Sequence, residues 1–373
     1  MAKLGDICTI QSGGTPSRSN KDYWDNGTIP WVKISDFSGK YLDHTSEKIT
    51  QAGLDGSSAK IFPKGTILYT IFATLGETCI LDIDATTNQA IAGLKLNDDS
   101  VLLDYLYYYL LSKKEYVNEI GRGVAQNNIN MKILREMEIG IPPKEEQDKI
   151  TDVLNKVYEL IALRKEQLAK LDQLVKSRFI ELFGDPKTNN KEWRMNTFAD
   201  VCTVRQGLQI PISKRLTQYE EGCYEYITVA YLHGSKEREY IKNPKSTVIC
   251  TEEDVLMTRT GNTGMVITNV AGAFHNNFFL IDFDRTRYNK VFLVEYLNLD
   301  LIQAEIKRRA GTSTISDLNH GEFYAISIYE PPVELQKQFA VFAEQTDKSK
   351  LAIQQSLDKL ELLKKSLMQE YFG

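Results

Sequence analysis

After Pro142-Pro143, apolar residues fall at Ile150, Leu154, Val157, Ile161, Leu168, Leu171, Val175 and Leu182, a three-then-four rhythm that Arg164 and Arg178 interrupt. This spacing predicts a long amphipathic helix with a narrow apolar seam. The proline pair followed by Glu145-Glu146 suits a helix start, and Gly184 with Pro186 suits its end. A second seam runs through Phe339, Phe342, Ile353, Leu357, Leu360 and Leu367. About 40 residues at 1.5 Å each make each rod about 60 Å long, which favours pairing of the two helices as an antiparallel coiled coil.

Elsewhere the pattern is short and strand-like. Ile29 to Ile34, Thr66 to Ile71, Cys79 to Ile83, Glu225 to Val229 and Val255 to Thr258 are rich in β-branched and aromatic residues and are separated by Gly, Asn, Asp and Ser turns. Asp104 to Ile120 and Val294 to Ala310 predict amphipathic helices, and Asp185 to Asn196 predicts a polar linker. Tyr107-Tyr108-Tyr109, at helical spacing, reads as core packing rather than a stacking platform.

The two seams belong to a longer duplication. Gly5-Asp6-Ile7-Cys8-Thr9 returns 194 positions later as Ala199-Asp200-Val201-Cys202-Thr203; Ile67-Leu68, Thr70, Gly76 and Asn88 return at an offset of 188; Pro142-Pro143, Glu145, Gln147, Lys176-Ser177 and Phe183-Gly184 return at 189. A repeat this long is a fused pseudo-dimer rather than a solenoid. The expected plan is mixed α+β and pseudo-two-fold symmetric: a recognition-type domain over 1–143, a repeat helix over 144–184, a linker and second domain over 185–332, and a second repeat helix over 333–373.

The average composition, 42% hydrophobic and 25% charged, excludes a disordered or membrane-spanning class. The start at Met1, Lys3, Gly5 and Asp6 has no apolar signal segment, so a cytoplasmic location is expected. Net charge is −5; the two domain segments carry 14 basic against 17 acidic and 17 against 19 residues, and the helices are balanced at 8 against 8 and 6 against 6. No segment has the basic excess of a freestanding nucleic-acid binder, so a DNA-binding role needs focused charge or a partner's contribution.

Catalytic signatures are missing. Five cysteines without a CxxC pair predict reduced, mostly buried thiols, and four scattered histidines predict no metal. There is no GxxxxGK[ST] or GxGxxG, and Glu330-Pro331-Pro332-Val333 lacks both ends of the Asn/Asp-Pro-Pro-Tyr/Phe motif of amino-methyltransferases. Glu305-Ile306-Lys307, a formal ExK, sits on a predicted helix without an upstream Pro-Asp. An assembly scaffold and a DNA-specific reader both remain open on these grounds, an autonomous enzyme less so.

The opening Leu4-Gly5-Asp6-Ile7 with Gly13-Gly14-Thr15-Pro16-Ser17, the Arg259-Thr260-Gly261-Asn262-Thr263-Gly264 turn and the two Pro-Pro-x-Glu-x-Gln helix starts occur in family order along the chain. In this the sequence resembles the specificity subunits of type I restriction-modification systems. The resemblance implies a non-catalytic subunit with two target-recognition domains, each reading half of a split double-stranded DNA target. Its implied partners are two modification subunits that methylate adenine N6, with restriction subunits able to join. S-adenosylmethionine, ATP and Mg would then reside on those partners, with no cofactor and no membrane contact in this chain.

Base reading calls for Arg or Lys at guanine, Asn or Gln at adenine, and small residues where backbone must come close. Candidate DNA contacts in the first half are Ser12, Gly13, Gly14, Thr15, Ser17, Arg18, Lys33, Arg122, Gln126, Asn127 and Asn128. In the second half they are Arg205, Gln206, Arg215, Arg259, Thr260, Asn262, Thr263, Arg308, Arg309, Thr312, Ser313 and Thr314. Arg259 stands out, between a strand and a Gly-rich turn; its repeat counterpart is Ile71, so the two halves are expected to read different bases. Arg308-Arg309 also reads as the dipole-favoured end of a helix.

Overall fold

The computed structural model describes residues 1–122, 128–232, 234, 237–311 and 316–373. They form two compact units, 1–165 with 355–373, and 166–354.

In the first unit a five-stranded sheet runs in the order Cys8–Ser12, Ile91–Leu96, Ile67–Thr70, Thr78–Leu81, Tyr41–Leu42, and a three-stranded sheet in the order Glu47–Ile49, Ile29–Val32, Thr86–Thr87. In the larger sheet only the Tyr41–Leu42 pairing is parallel. The second unit repeats the scheme with two four-stranded sheets. One is ordered Cys202–Gln206, Phe278–Phe283, Val255–Thr258, Val266–Ile267; the other Tyr240–Lys242, Cys223–Ile227, Gly272–Phe274, Ile249–Cys250. Each unit also has a two-stranded ribbon, Ala2–Lys3 with Glu138–Ile139 and Arg194–Thr197 with Ser327–Glu330.

The long helices are Lys144–Phe183 and Val333–Phe372. Each unit contains one stretch of each helix, running antiparallel. In the first, Lys165 pairs with Glu361 and the Lys364 ammonium lies 5.5 Å from the centre of the Tyr158 ring. Further along, Ile150 and Leu154 share a core with Phe372. In the second, Asp172 pairs with Lys350, and the Phe179 and Phe339 rings meet edge-on at 5.2 Å. The seam is deepest where it meets a domain core: Leu154, Phe179, Phe183 and Phe339 are fully buried, whereas Leu168, Leu171 and Leu360 are half-buried.

The repeated Pro-Pro-x-Glu-x-Gln start has a structural cause. The Gln147 side chain accepts the Leu102 amide at 2.8 Å and donates to the Ser100 and Pro142 carbonyls; Gln336 accepts the Asn289 amide at 2.8 Å and donates to the Arg287 and Pro331 carbonyls. Leu102 and Asn289 are the cap residues of helices Leu103–Ser112 and Lys290–Asn298. A completely buried amide with all its bonds made thus staples each long helix to its domain.

Four expected boundaries are corrected. The Asp104 to Ile120 helix is two, Leu103–Ser112 and Lys114–Arg122, with Lys113 leaving helical geometry between them. The Val294 to Ala310 helix is also two, Lys290–Asn298 and Asp300–Ala310, because Leu299 takes an extended backbone that buries its side chain. The Glu225 to Val229 strand is Cys223–Ile227, and Val229 opens a short helix. The Asp185 to Asn196 linker gives way to strand Arg194–Thr197, in which buried Asn196 donates to Glu330 at 2.9 Å. Polarity suggested a loop there; the partner carboxylate is 134 residues away.

Tyr107, Tyr108 and Tyr109 are core residues, and all five cysteines are buried free thiols. Among the described residues no group of three His, Cys, Asp or Glu side chains could hold a metal, and no helix is long and apolar enough to cross a membrane.

Candidate nucleic-acid interface

In the first unit, strand Ile29–Val32 carries Trp31, and its indole N–H donates to the Gly14 carbonyl at 3.0 Å. The Arg18 guanidinium stacks over Trp24 at 3.6 Å from the ring centre and over Trp31 at 4.7 Å. Arg18 also pairs with Glu47, whose other oxygen takes the Lys33 ammonium at 2.7 Å. Burial pushes the Glu47 carboxyl up, but the hydrogen bonds from Lys33 and Arg18 outweigh it and hold the group below its ordinary range. Thr15 donates to Gln89, and the Ser17 and Ser19 hydroxyls meet at 2.9 Å. Ser12 and Asn128 are half-buried, Asn128 in a bridge with Phe72.

Gly13 and Gly14 need correction as contacts. Both are buried; a Cβ on Gly13 would lie 2.0 Å from the Thr87 hydroxyl, and one on Gly14 would lie 2.4 Å from the Ser58 carbonyl carbon. The close approach that demands glycine is to the chain itself. Thr263 is likewise buried, at 5% exposure, with its hydroxyl bonded to Ser316 and the Arg259 carbonyl. Gln126, Asn127, Thr312, Ser313 and Thr314 lie outside the described residues, as does the side chain of Arg122.

In the second unit, Arg259 grips Asp317 through two N–H donors, at 3.0 and 2.8 Å, and Thr260 donates to the same carboxylate. The Arg259 hydrogen bond is the main reason the Asp317 carboxyl sits below its usual range. Asn262 is exposed on this turn, and Gln206 is exposed at the end of its strand. Arg308 and Arg309 both hold Glu305, and Arg309 reaches Glu322 at 3.0 Å. The Arg308 hydrogen bond, with help from Arg309, lowers the Glu305 carboxyl to about 2. Arg205 donates to the Thr247 carbonyl at 3.2 Å.

Arg215 is the best-anchored of these cations. It donates twice to the Ile210 carbonyl, pairs with Glu239 at 2.9 Å, and lies over the Tyr226 ring at 5.0 Å. Tyr226 in turn donates its hydroxyl to the Leu208 carbonyl at 2.6 Å. A cleft of about 350 Å³ opens here, lined by Arg215, Tyr226, Glu239, His275 and Asn277 among others. Burial, aided by the Arg215 charge, lowers the His275 pKa, so its ring is neutral at pH 7. Its Nδ1 accepts the Asn277 amide at 3.1 Å, which leaves the proton on Nε2.

Sequence reasoning named Arg18, Lys33 and Arg215 but missed Glu47, Glu239, Trp31, Tyr226 and His275. No fixed repeat offset joins the groups: Arg18 to Arg215 is 197, Trp31 to Tyr226 is 195, and Glu47 to Glu239 is 192. Only the strand register lines them up, since Trp31 pairs with Thr86 and Tyr226 with Ala273 on equivalent parallel neighbours.

Comparison with known proteins finds the family profile of the type I restriction modification DNA specificity domain twice, over residues 1–173 and 190–362. The specificity subunit of the type I restriction enzyme MjaIX of Methanocaldococcus jannaschii is 31% identical over 250 residues, 62% of this chain and 57% of that protein's length. That of the EcoprrI enzyme of Escherichia coli is 22% identical over 365 residues, 92% of this chain and 86% of its own. The chain therefore spans somewhat over half of the first relative and most of the second. The crystal structure of a type I restriction-modification S subunit from M. genitalium superimposes with a TM-score of 0.60 at 16% identity, covering 100% of this chain and 95% of that one.

Proposed function

This chain belongs to the type I restriction modification DNA specificity family, and on that premise we propose that it reads a bipartite DNA sequence, one half-site per unit. It directs partner adenine-N6 methyltransferase subunits, and restriction subunits that join them, to that sequence. The observation that carries this reading is the double match of the family profile, one copy over each recognition fold and its helix. The chain itself acts by binding, and S-adenosylmethionine, ATP and Mg are assigned to the partners.

The charge distribution supports a shared electrostatic task. The cations on the candidate interface are largely engaged by carboxylates: Arg18 and Lys33 by Glu47, Arg215 by Glu239, Arg259 by Asp317. Phosphate neutralisation on the scale of DNA binding then falls to the partners. The two modification subunits are assigned to the long helices, where apolar side chains stand exposed: Leu160, Leu163, Leu362 and Leu363 in the first unit, and Leu174, Ile180, Val341 and Leu351 in the second. Remaining DNA contacts are assigned to Ser12, Thr15, Ser17, Asn128, Arg205, Gln206, Thr260, Asn262 and Arg308. The protein works in the cytoplasm, where its DNA is.

Sequencing of methylated adenines in DNA from cells carrying this chain with its modification subunit, against cells lacking only this chain, tests the reading. A split motif that vanishes with the chain is expected. An unchanged methylome with an active modification subunit would leave the chain a scaffold that assembles proteins without reading DNA.

A further inference from the structure

The Arg18–Glu47–Trp31 and Arg215–Glu239–Tyr226 clusters are the same device built twice. In each unit a guanidinium lies on the ring of an aromatic residue and pairs with a glutamate. The polar end of that ring donates to a loop carbonyl, Gly14 in one unit and Leu208 in the other. The loop is pinned in the same way in both: the Gly14 amide donates to Thr87 at 2.8 Å and the Leu208 amide to Phe274 at 3.0 Å. The residue before it, Gly13 or Gly207, has no room for a Cβ. Little of this is dictated by local sequence, since one ring is tryptophan and the other tyrosine.

The glutamates are the parts presented alike. Their side chains are 29% and 30% exposed, whereas the arginines differ, at 52% and 16%. A carboxylate close to DNA is repelled by phosphate unless a cation compensates it, and the stacked guanidinium supplies that cation in place. What remains is an acceptor-only group held in one orientation. In the major groove such a group matches the exocyclic amino group of cytosine or adenine and is mismatched with the O6 and O4 acceptors of guanine and thymine.

We infer that Glu47 and Glu239 are equivalent specificity-determining residues, each selecting an amino-bearing base in its own half-site, with Arg18 and Arg215 as their positioning residues. The surroundings differ enough to give different half-sites. Glu47 shares its second oxygen with Lys33, but the equivalent strand-end position in the other unit is Thr228. Neutral His275 and Asn277 line the cleft beside Glu239. This inference rests on the DNA-reading function proposed above.

The test uses the full chain assembled with its modification subunits, methylating a pool of randomised duplex DNA that is then sequenced for methylated adenine. Glu47→Gln keeps an acceptor oxygen but adds a donor and removes the charge. It should lower discrimination roughly tenfold or more at one base position of one half-site and leave the other half-site intact. Glu239→Gln should do the same in the other half-site only. At one stated salt concentration, total DNA affinity should not fall, because a negative charge has been removed. Both motifs unchanged in both variants would overturn the inference while leaving the DNA-reading function standing; no split motif with the wild-type chain would overturn that function instead. If a Gln variant melts without the wild-type cooperativity, Arg18→Lys and Arg215→Lys carry the test, and an unaltered half-site in these also overturns it.

Discussion

Arg259 donates two hydrogen bonds to the Asp317 carboxylate, joining the turn after strand Val255–Thr258 to a residue 58 positions later. The same turn in the first unit has Ile71 and Phe72, yet it keeps the fold, because Phe72 forms a bridge with Asn128 just as Thr260 does with Asp317. The second unit adds an ion pair to that shared bridge.

Arg259→Ala should accordingly cost about 1–2 kcal/mol of stability at pH 7, a two-point but partly exposed pair being worth that much. The Asp317 carboxyl is held below its unfolded value, so its contribution is complete above about pH 4 and is lost as pH falls through the folded pKa. Urea melts at pH 7 and pH 3 should show the gap between wild type and variant closing in acid. An equal gap at both would mean that Arg259 acts through packing.

Gln336→Leu removes a buried amide that serves one donor and two acceptors. Each group left without a partner costs about 1–3 kcal/mol, so the loss should be at least about 3 kcal/mol. Gln147→Leu should destabilise the first unit similarly. Chemical denaturation of each variant is the measurement, and a loss below 1 kcal/mol would remove the staple from the account.

Glycine substitutions separate internal packing from surface need. Gly13→Ala places a methyl group 2.0 Å from the Thr87 hydroxyl and should cost about 1–3 kcal/mol. Gly39→Ala meets nothing within 4 Å and has no positive φ, so it should be neutral or slightly stabilising. Gly261→Ala also has open space, but its φ of +81° should cost about 1–2 kcal/mol. Thermal melts of the three variants rank these effects.

Burial raises the Cys8, Cys79 and Cys202 thiols to about 12 and Cys250 to about 11. A thiol reagent at pH 8 should therefore label the native chain slowly and all five cysteines once it is unfolded. Rapid native labelling of any of these four would show that its site opens.

Much of the architecture is local and was legible in the residues. The three-four rhythm of Ile150 to Leu182, the proline-led starts and the returning strings at offsets of 194, 188 and 189 report periodicity and duplication, which a linear sequence carries directly. Hence the two long helices, the duplicated domain plan and the buried tyrosines could be anticipated. Helix breaks could not: Lys113 and Leu299 carry no glycine or proline signal, yet each ends one helix just before the next begins.

The candidate site divides in the same way. Sequence alone picked out Arg18, Lys33, Arg215 and Arg259 by residue type, and it identified glycines that something approaches closely. It could not say what approaches. Gly13 and Gly14 are crowded by Thr87 and Ser58 of the same chain. Glu47 and Glu239 matter because strand pairing carries them to an arginine 29 and 24 positions away. Insertions in the connecting loops shift those spacings between the two halves. Strand register follows which face of each strand is buried, so the tertiary structure preserves an equivalence that the sequence offsets conceal.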